Sequence, residues 1–197
     1  MRTFDLFVVE IPKRINDTIT TASGLELFID NRFKEFENRV TEGKVMAVPF
    51  KYDTGVEVGD TLYFHHLVVI NEGQPLTGMK DTYLVRFDPK VATSNQAIAY
   101  KSSKTGKVVP LHGWALLESI EEKNKKKDSD IIEVVKLKED PALRGKVAFD
   151  SKDTEELGIA KGDVVGFPKN RDYRIVIDGK EYYRTRIEDL LYVEEEA

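Results

Sequence analysis

Two strands that each begin with a Gly-Asp pair constrain this chain more than any other feature of its sequence. The first lies in residues 56–64 (VEVGDTLYF) and the second in residues 159–167 (IAKGDVVGF). Glycine takes a positive φ without steric cost, and an aspartate side chain bonds to nearby backbone, so each pair predicts a tight turn before a strand. The recurrence indicates an internal duplication of one small β unit.

Three further segments recur in the same order around the Gly-Asp strands. The paired segments are residues 5–13 with 130–138, 43–48 with 145–149, and 114–121 with 188–194. Gly43 precedes Gly59 by 16 positions and Gly145 precedes Gly162 by 17, so this interval is shared. Four matches in one order favour a tandem repeat over chance.

The other spacings differ between the copies and place extra residues in the first one, at about 14–39 and at about 71–110. We therefore predict a first domain over residues 1–121 and a charged linker over 122–129. A second domain is predicted over residues 130–197, without an insertion between its first two strands.

Strand-like patterns dominate the rest of the chain. Residues 82–87 and 96–100 are rich in β-branched and aromatic side chains, and residues 173–186 contain an Asp-Gly turn between two such runs, which is typical of a hairpin. Only residues 25–40 place apolar side chains at helical spacing. The sequence therefore predicts an all-β fold.

The composition of the chain excludes several classes of function. The chain has 197 residues and a formal net charge of −5, and this acidic balance argues against a nucleic-acid-binding protein. Its sequence contains no cysteine, which excludes disulfide bonds and thiolate metal sites. The basic cluster at residues 123–127 has acidic neighbours and no interleaved aromatics, so we interpret it as a solvated linker. With no membrane-length apolar run and no export signal near Met1, we expect a cytoplasmic protein without a membrane partner.

These motifs resemble those of the GroES-like co-chaperonins. That family combines a Gly-x-Val-x-Ala-Val strand, a Val-x-x-Gly-Asp-x-Val-x-Phe strand and a closing Asp-Ile-Leu-Ala-x-Val-Glu strand. The matching segments are residues 43–48, 56–64 and 116–121 in the first copy and 145–147, 161–167 and 188–194 in the second. The resemblance implies two tandem GroES-like small β-barrels, the first with two insertions, and covers most of the chain apart from the insertions and linker.

The resemblance also implies a chaperonin-binding loop. The segment Arg14–Arg39 lies where the family carries a mobile loop, whose tip becomes ordered on an apolar groove of the chaperonin. Its first half is polar, with too little apolar surface to fold alone. The expected chaperonin-binding residues are Gly24, Leu25, Glu26, Leu27, Phe28 and Ile29.

Two other interpretations of this segment remain open. Residues 25–40 can instead form an amphipathic helix that packs on its own barrel, or residues 24–27 can dock while residues 32–42 return as a short helix. Glu26 departs from the family pattern, which has an apolar residue there. In an extended strand Glu26 points away from Leu25 and Leu27 and is tolerated at the rim of a groove.

An enzyme is the less favoured class. The three histidines are His65, His66 and His112, and two adjacent histidines in a strand point to opposite faces, so one metal ion cannot easily use both. The sequence lacks a nucleotide-binding, P-loop or Gly-x-Ser-x-Gly motif. We therefore expect no catalytic residue, no metal and no cofactor, and we expect the single tryptophan, Trp114, to pack in a barrel.

The leading hypothesis is a co-chaperonin that caps a GroEL-type chaperonin and assists ATP-dependent folding without binding ATP itself. The resemblance implies a homo-heptamer, joined through the first and last strands of neighbouring subunits, that meets unfolded client proteins only indirectly. The alternatives are an assembly or scaffold protein that keeps the barrel without chaperonin docking, and an enzyme with a metal near His65 or His112.

Overall fold

The fold is known from a computed structural model, which describes residues 2–21, 23–30, 35–70, 74–91, 95–120, 143–171 and 173–194. Its strands form a seven-stranded sheet, a six-stranded sheet and a two-stranded hairpin. The predicted all-β class is confirmed, with the short helix α1 (Lys152–Glu156) and two 3-10 turns, Glu35–Asn38 and Ile187–Asp189, as the helical elements of the described residues. None of the helices in the described residues is long and apolar enough to cross a membrane.

The chain divides into two compact units, Met1–Trp114 and Ala115–Ala197. The predicted linker, 122–129, and the predicted first strand of the second copy, 130–138, lie outside the described residues. The division falls before the expected end of the first domain at residue 121, because the strand after Trp114 joins the second sheet.

The first sheet has the strand order β6-β7-β1-β4-β5-β8-β9. Its strands are β1 (Leu6–Glu10), β4 (Glu42–Ala47), β5 (Thr61–Phe64), β6 (Gln74–Pro75), β7 (Thr82–Arg86), β8 (Ala97–Lys101) and β9 (Val108–Pro110). The remaining two strands of this unit, β2 (Thr18–Thr20) and β3 (Glu26–Phe28), pair only with each other among the described residues. Successive side chains of a strand point to opposite faces of the sheet, which explains the burial pattern of β4. Val45 and Ala47 are buried, while Lys44 and Met46 face solvent.

The second sheet has the strand order β13-β14-β10-β11-β12-β15. Its strands are β10 (Trp114–Ser119), β11 (Arg144–Val147), β12 (Val164–Gly166), β13 (Tyr173–Ile177), β14 (Lys180–Arg186) and β15 (Tyr192–Val193). Ala115, Leu117, Val147, Val165 and Phe167 form the core of this unit. Neither sheet closes on itself through strand pairing among the described residues, so their orders run from one open edge to the other.

The two sheets repeat one strand order. Each sheet contains six strands that occupy corresponding places when both sets are taken in chain order. In the first sheet these are β1, β4, β5, β6, β7 and β8, and in the second they are β10 to β15. The first sheet adds β9 at one edge, and the β2–β3 hairpin lies in the connection between β1 and β4. An identical order of six strands supports the duplication that the Gly-Asp segments indicate.

The two Gly-Asp turns also share their hydrogen bonds. In the first, Val45 donates its N–H to the Asp60 carbonyl at 2.8 Å and accepts from the Gly59 N–H at 2.9 Å. The Asp60 carboxylate accepts from the Glu57 N–H at 2.8 Å. Gly59 has a φ of 97°, in the region that favours glycine, which explains why this residue type stands there.

The second turn matches the first atom for atom. Val147 donates to the Asp163 carbonyl at 2.8 Å and accepts from the Gly162 N–H at 2.9 Å. The Asp163 carboxylate accepts from the Ala160 N–H at 2.9 Å, and Gly162 has a φ of 103°. The predicted tight turns are therefore confirmed in both units.

Two matches in the sequence repeat do not hold in the fold. Residues 114–121 were expected to be the counterpart of 188–194, but β10 lies inside the second sheet between β14 and β11, whereas β15 lies at its edge. The counterpart of β10 is β1, so the expected match of residues 5–13 with 130–138 does not hold either. Residues 71–110 consequently hold β6, β7 and β8, which have counterparts in the second unit, so most of this segment belongs to the repeated unit rather than to an insertion.

Three local predictions are confirmed. Residues 82–87 contain β7, residues 96–100 contain β8 except its last residue, and residues 173–186 form the β13–β14 hairpin. Its turn residues Asp178 and Gly179 have φ values of 51° and 77°, as a two-residue hairpin turn with two positive φ angles requires.

A candidate docking arm between β1 and β4

The connection between β1 and β4 forms an antiparallel arm. At its base Val40 donates its N–H to the Arg14 carbonyl at 2.9 Å, and Asn16 donates to Asn38 at 2.7 Å. Farther out Ile29 donates to the Asp17 carbonyl at 2.7 Å. These bonds place the segment expected to be a mobile loop, Arg14–Arg39, in a paired hairpin over its described residues.

The outer part of the arm is the β2–β3 hairpin. Its register pairs Thr18 with Phe28 and Thr20 with Glu26. At the tip Thr21 donates its N–H to the Leu25 carbonyl at 2.8 Å, and Gly24 donates to the Thr21 carbonyl at 2.9 Å.

Gly24 makes the turn at the tip possible. Its φ is 83°, and a Cβ built there would meet nothing within 4 Å, so the requirement for glycine comes from the backbone angle and not from crowding. The Thr21 hydroxyl oxygen also accepts a hydrogen bond from the Leu25 N–H at 3.1 Å. Backbone and side chain therefore both hold the tip in a defined conformation.

The arm presents apolar side chains to solvent. Phe28 is 88% exposed, Leu25 59% and Leu27 42%. Ile29 is partly buried, and Gly24 and Glu26 are exposed. Large apolar side chains that stand together on the surface mark sites of interaction more often than scattered single ones do.

Alternation along the arm separates its side chains into two faces. Leu25 and Leu27 lie on one side of β3, and Glu26 and Phe28 lie on the other. The expectation that Glu26 points away from the two leucines therefore agrees with the strand geometry. A partner groove that covers Leu25 and Leu27 can leave the Glu26 carboxylate in water.

The amphipathic helix over residues 25–40 is wrong for the first part of that segment. Glu26–Phe28 is a strand, and among the described residues of this segment only Glu35–Asn38 is helical, as one 3-10 turn. Residues 31–34 lie outside the described residues. The apolar spacing that suggests a helix is satisfied here by a hairpin, because backbone pairing with Thr18–Thr20 competes successfully with helical bonds.

Ion pairs flank the arm near its base. Lys13 pairs with Asp17, and Arg39 pairs with Glu35 at 3.4 Å. The hydrogen bond from Lys13 lowers the pKa of the Asp17 carboxyl from its ordinary value. Both ion pairs lie at the surface, where dissolved salt screens them, so they contribute little to the stability of the arm.

The histidines do not occupy the strand positions expected for them. β5 ends at Phe64, and the rings of His65 and His66 stack with centroids 4.3 Å apart in the turn that follows. His65 Nδ1 accepts from the Leu67 N–H at 3.2 Å. In the described part of the chain no group of three or more His, Cys, Asp or Glu side chains is arranged to hold a metal ion.

Sequence reasoning missed two exposed apolar clusters. Phe4 and Phe50 are 56% and 59% exposed, and their rings meet edge to face with centroids 5.2 Å apart. Leu191, Tyr192 and Val193 are exposed on and beside β15. The run Leu190–Val193 is an apolar sequence signal that we interpreted as part of a closing strand and not as a surface.

Trp114, in contrast, is 5% exposed, at the start of β10. This burial agrees with its expected packing role.

No family model matches the sequence, and no curated protein is similar to it.

Proposed function

We propose that the chain is a co-chaperonin, and that the arm between β1 and β4 docks it on a GroEL-type chaperonin. The observation that carries the proposal is the ordered arm with Leu25, Leu27 and Phe28 exposed at its end. In this proposal each unit is a GroES-like β domain, the chain acts without a cofactor or catalysis, and client proteins are met only inside the capped chamber. The ring of seven copies is part of the same proposal.

The energetics of the arm suit reversible docking. Covering one leucine side chain fully contributes roughly 1.5–3 kcal/mol, and the two leucines start about half exposed. Because the arm is already hydrogen-bonded, docking orders fewer residues than a fully disordered loop would, and less of the gain is lost. A single arm still binds weakly, and several arms on one ring gain affinity through effective concentration.

An assembly or scaffold protein without chaperonin docking is the second candidate. The exposed cluster beside β15 favours it, since a scaffold needs surfaces for association. A scaffold of this type predicts an arm whose apolar side chains are covered by the chain itself. The exposure of Leu25, Leu27 and Phe28 favours the co-chaperonin.

The test is ATP-dependent co-sedimentation with a GroEL-type chaperonin, comparing the parent with the double variant Leu25→Ser/Leu27→Ser. A matched control, Val58→Ser/Leu157→Ser, removes two apolar side chains that are 63% and 58% exposed outside the arm. We expect the arm variant to bind at least about tenfold more weakly, because tenfold corresponds to about 1.4 kcal/mol. The control should bind like the parent.

Equal binding by the parent and the arm variant would contradict the docking role of the arm. Absence of ATP-dependent binding by the parent would contradict the co-chaperonin function and favour the scaffold. Equal losses in the arm variant and in the control would assign binding to general surface hydrophobicity instead of the arm.

A further inference from the structure

The β13–β14 hairpin brings three arginines together in the second unit. Arg184 and Arg186 are two positions apart on β14, so their side chains lie on the same face and their Cα atoms are about 6–7 Å apart. Arg171, just before β13, lies beside them, because its carbonyl accepts a hydrogen bond from the Thr185 hydroxyl at 3.3 Å. Arg171, Arg184 and Arg186 form the arginine cluster.

Arg184 is the innermost member of the arginine cluster. It is 3% exposed, and it faces Tyr173 across the register of the hairpin. Its Cζ atom lies 5.3 Å from the centroid of the Tyr173 ring, where a guanidinium is attracted to the aromatic face. Burial lowers the pKa of Arg184 to about 10, since a charged group in the interior loses its hydration. A positive charge is therefore held where water reaches it poorly.

The arginines of the cluster also repel one another. After burial and the influence of Tyr173, the charge of Arg186 is a further cause that lowers the pKa of Arg184. Burial is the main cause that lowers the pKa of Arg186, and the charge of Arg171 lowers it further. Each guanidinium thus disfavours the charge of its neighbour, and an anion placed among them would relieve this repulsion.

Carboxylates offset part of the charge of the cluster. The Oδ1 atom of Asp189 lies 3.5 Å from the Nε atom of Arg171. Glu188 and Asp189 both favour the charged form of Arg186 and so act against the lowering of its pKa. Two carboxylates beside the three guanidiniums of the cluster leave a net charge of +1 for these five groups. Because the surplus is positive, the ligand that suits the cluster is an anion.

We propose that the arginine cluster binds a phosphate group, with Arg184 at the floor of the site, Arg186 at its side and Arg171 at its rim. The exposures follow this order, since Arg184 is buried, Arg186 is partly buried and the Arg171 side chain is 55% exposed. A planar guanidinium donates two parallel hydrogen bonds to phosphate oxygens, and a phosphate group offers three such oxygens to neighbouring arginines.

Free inorganic phosphate and a nucleotide both present this chemistry. The site is independent of chaperonin docking, because the arm belongs to the first unit and the arginine cluster to the second.

Isothermal titration calorimetry of the full chain tests the site, with sodium phosphate in one arm and AMP in the other, at an ionic strength kept constant with sodium chloride. We expect saturable binding of one phosphate group per chain, and at least tenfold weaker binding by Arg186→Gln. The matched control is Arg174→Gln, which removes a positive charge from the same hairpin at a 61% exposed side chain. Arg174 follows Tyr173 along β13 and so lies on the face away from the cluster, and this control should bind like the parent.

A structural role of Arg186 would not produce the full pattern of results. Arg186→Lys keeps the charge, and it should bind more tightly than Arg186→Gln but more weakly than the parent, because an ammonium lacks the planar fork. In thermal unfolding, phosphate should raise the Tm of the parent and of Arg174→Gln and leave the Tm of Arg186→Gln unchanged. An unchanged circular dichroism spectrum shows that each variant is folded.

Comparison of the two arms identifies the source of the phosphate group. Equal affinities indicate free phosphate, and at least tenfold tighter binding of AMP indicates a nucleotide. Absence of saturable binding of both ligands by the parent would overturn the proposal, as would equal affinities of the parent and Arg186→Gln. Stabilisation by chloride as large as that by phosphate would also overturn it, because screening alone would then explain the effect. Chaperonin binding is a separate readout, so failure of the phosphate site is distinguishable from failure of docking.

Discussion

Asp60 accepts two hydrogen bonds from Ser103, one from its N–H at 2.8 Å and one from its hydroxyl at 3.0 Å. With the bond from the Glu57 N–H, the Asp60 carboxylate joins the Gly-Asp turn to the β8–β9 hairpin. Asp60 is 2% exposed, so this link lies inside the first unit. The second unit repeats the turn, whereas its Asp163 is partly exposed.

Replacing Asp60 by Asn should destabilise the first unit more than Asp163→Asn destabilises the second. The buried carboxylate loses charge-assisted bonds and turns an amide N–H₂ group toward donors, which costs about 1–3 kcal/mol. Urea unfolding, with amide exchange to follow each unit, measures both variants. Equal effects of the two substitutions would show that the bonds from Ser103 contribute nothing.

Acid should weaken the first unit through the same carboxylate. Burial alone would raise the pKa of Asp60, but the hydrogen bonds from Ser103 and Glu57 outweigh it and the pKa lies below its ordinary value. A carboxyl whose pKa is lowered by folding stabilises the folded state fully at pH values above its unfolded-state pKa, about 3.9. This stabilisation is lost as the pH falls through the folded-state pKa. The free energy of unfolding should therefore fall more steeply below about pH 4 in the parent than in Asp60→Asn. Parallel curves for the two proteins would contradict this role.

Two glycines in equivalent strands should tolerate no side chain. A Cβ on Gly43 would stand 2.9 Å from the Glu10 carbonyl oxygen, and one on Gly145 would stand 2.8 Å from Leu117 Cβ. We expect Gly43→Ala and Gly145→Ala each to cost about 1–3 kcal/mol, since the strands must move apart.

Gly166→Ala is the matched comparison. Its added Cβ would meet the ring of Tyr192, an exposed side chain that can rotate away, so its cost should be smaller than that of Gly43→Ala or Gly145→Ala. Thermal unfolding of the three variants ranks them. A Gly166→Ala variant less stable than Gly145→Ala would mean that the Tyr192 ring is held in place.

The sequence predicts local features of this fold better than its long-range pairing. Gly59, Gly162 and Gly179 each occupy the positive φ that their turn requires, because the preference depends on the residue itself. The partner of β10 is set by tertiary packing, and a short apolar run such as residues 114–119 does not encode which sheet it joins.

The arm between β1 and β4 also combines predictable and unpredictable features. Its place between the first two strands was predicted from the spacing of the repeated segments, whereas the exposure of Leu25 and Leu27 was expected from the family resemblance. The hairpin does not, because the apolar spacing of residues 25–40 also suits a helix and only the pairing with Thr18–Thr20 decides between them.

A single label at the tip of the arm tests docking on the chaperonin. Ser23→Cys, exposed beside Gly24, carries an environment-sensitive fluorophore, and Lys104→Cys in the exposed β8–β9 turn is the control position. On adding a GroEL-type chaperonin with ATP, we expect a blue shift and slower rotation at Ser23→Cys and no blue shift at Lys104→Cys. An unchanged spectrum at Ser23→Cys under conditions where the chain co-sediments with the chaperonin would contradict docking through the arm.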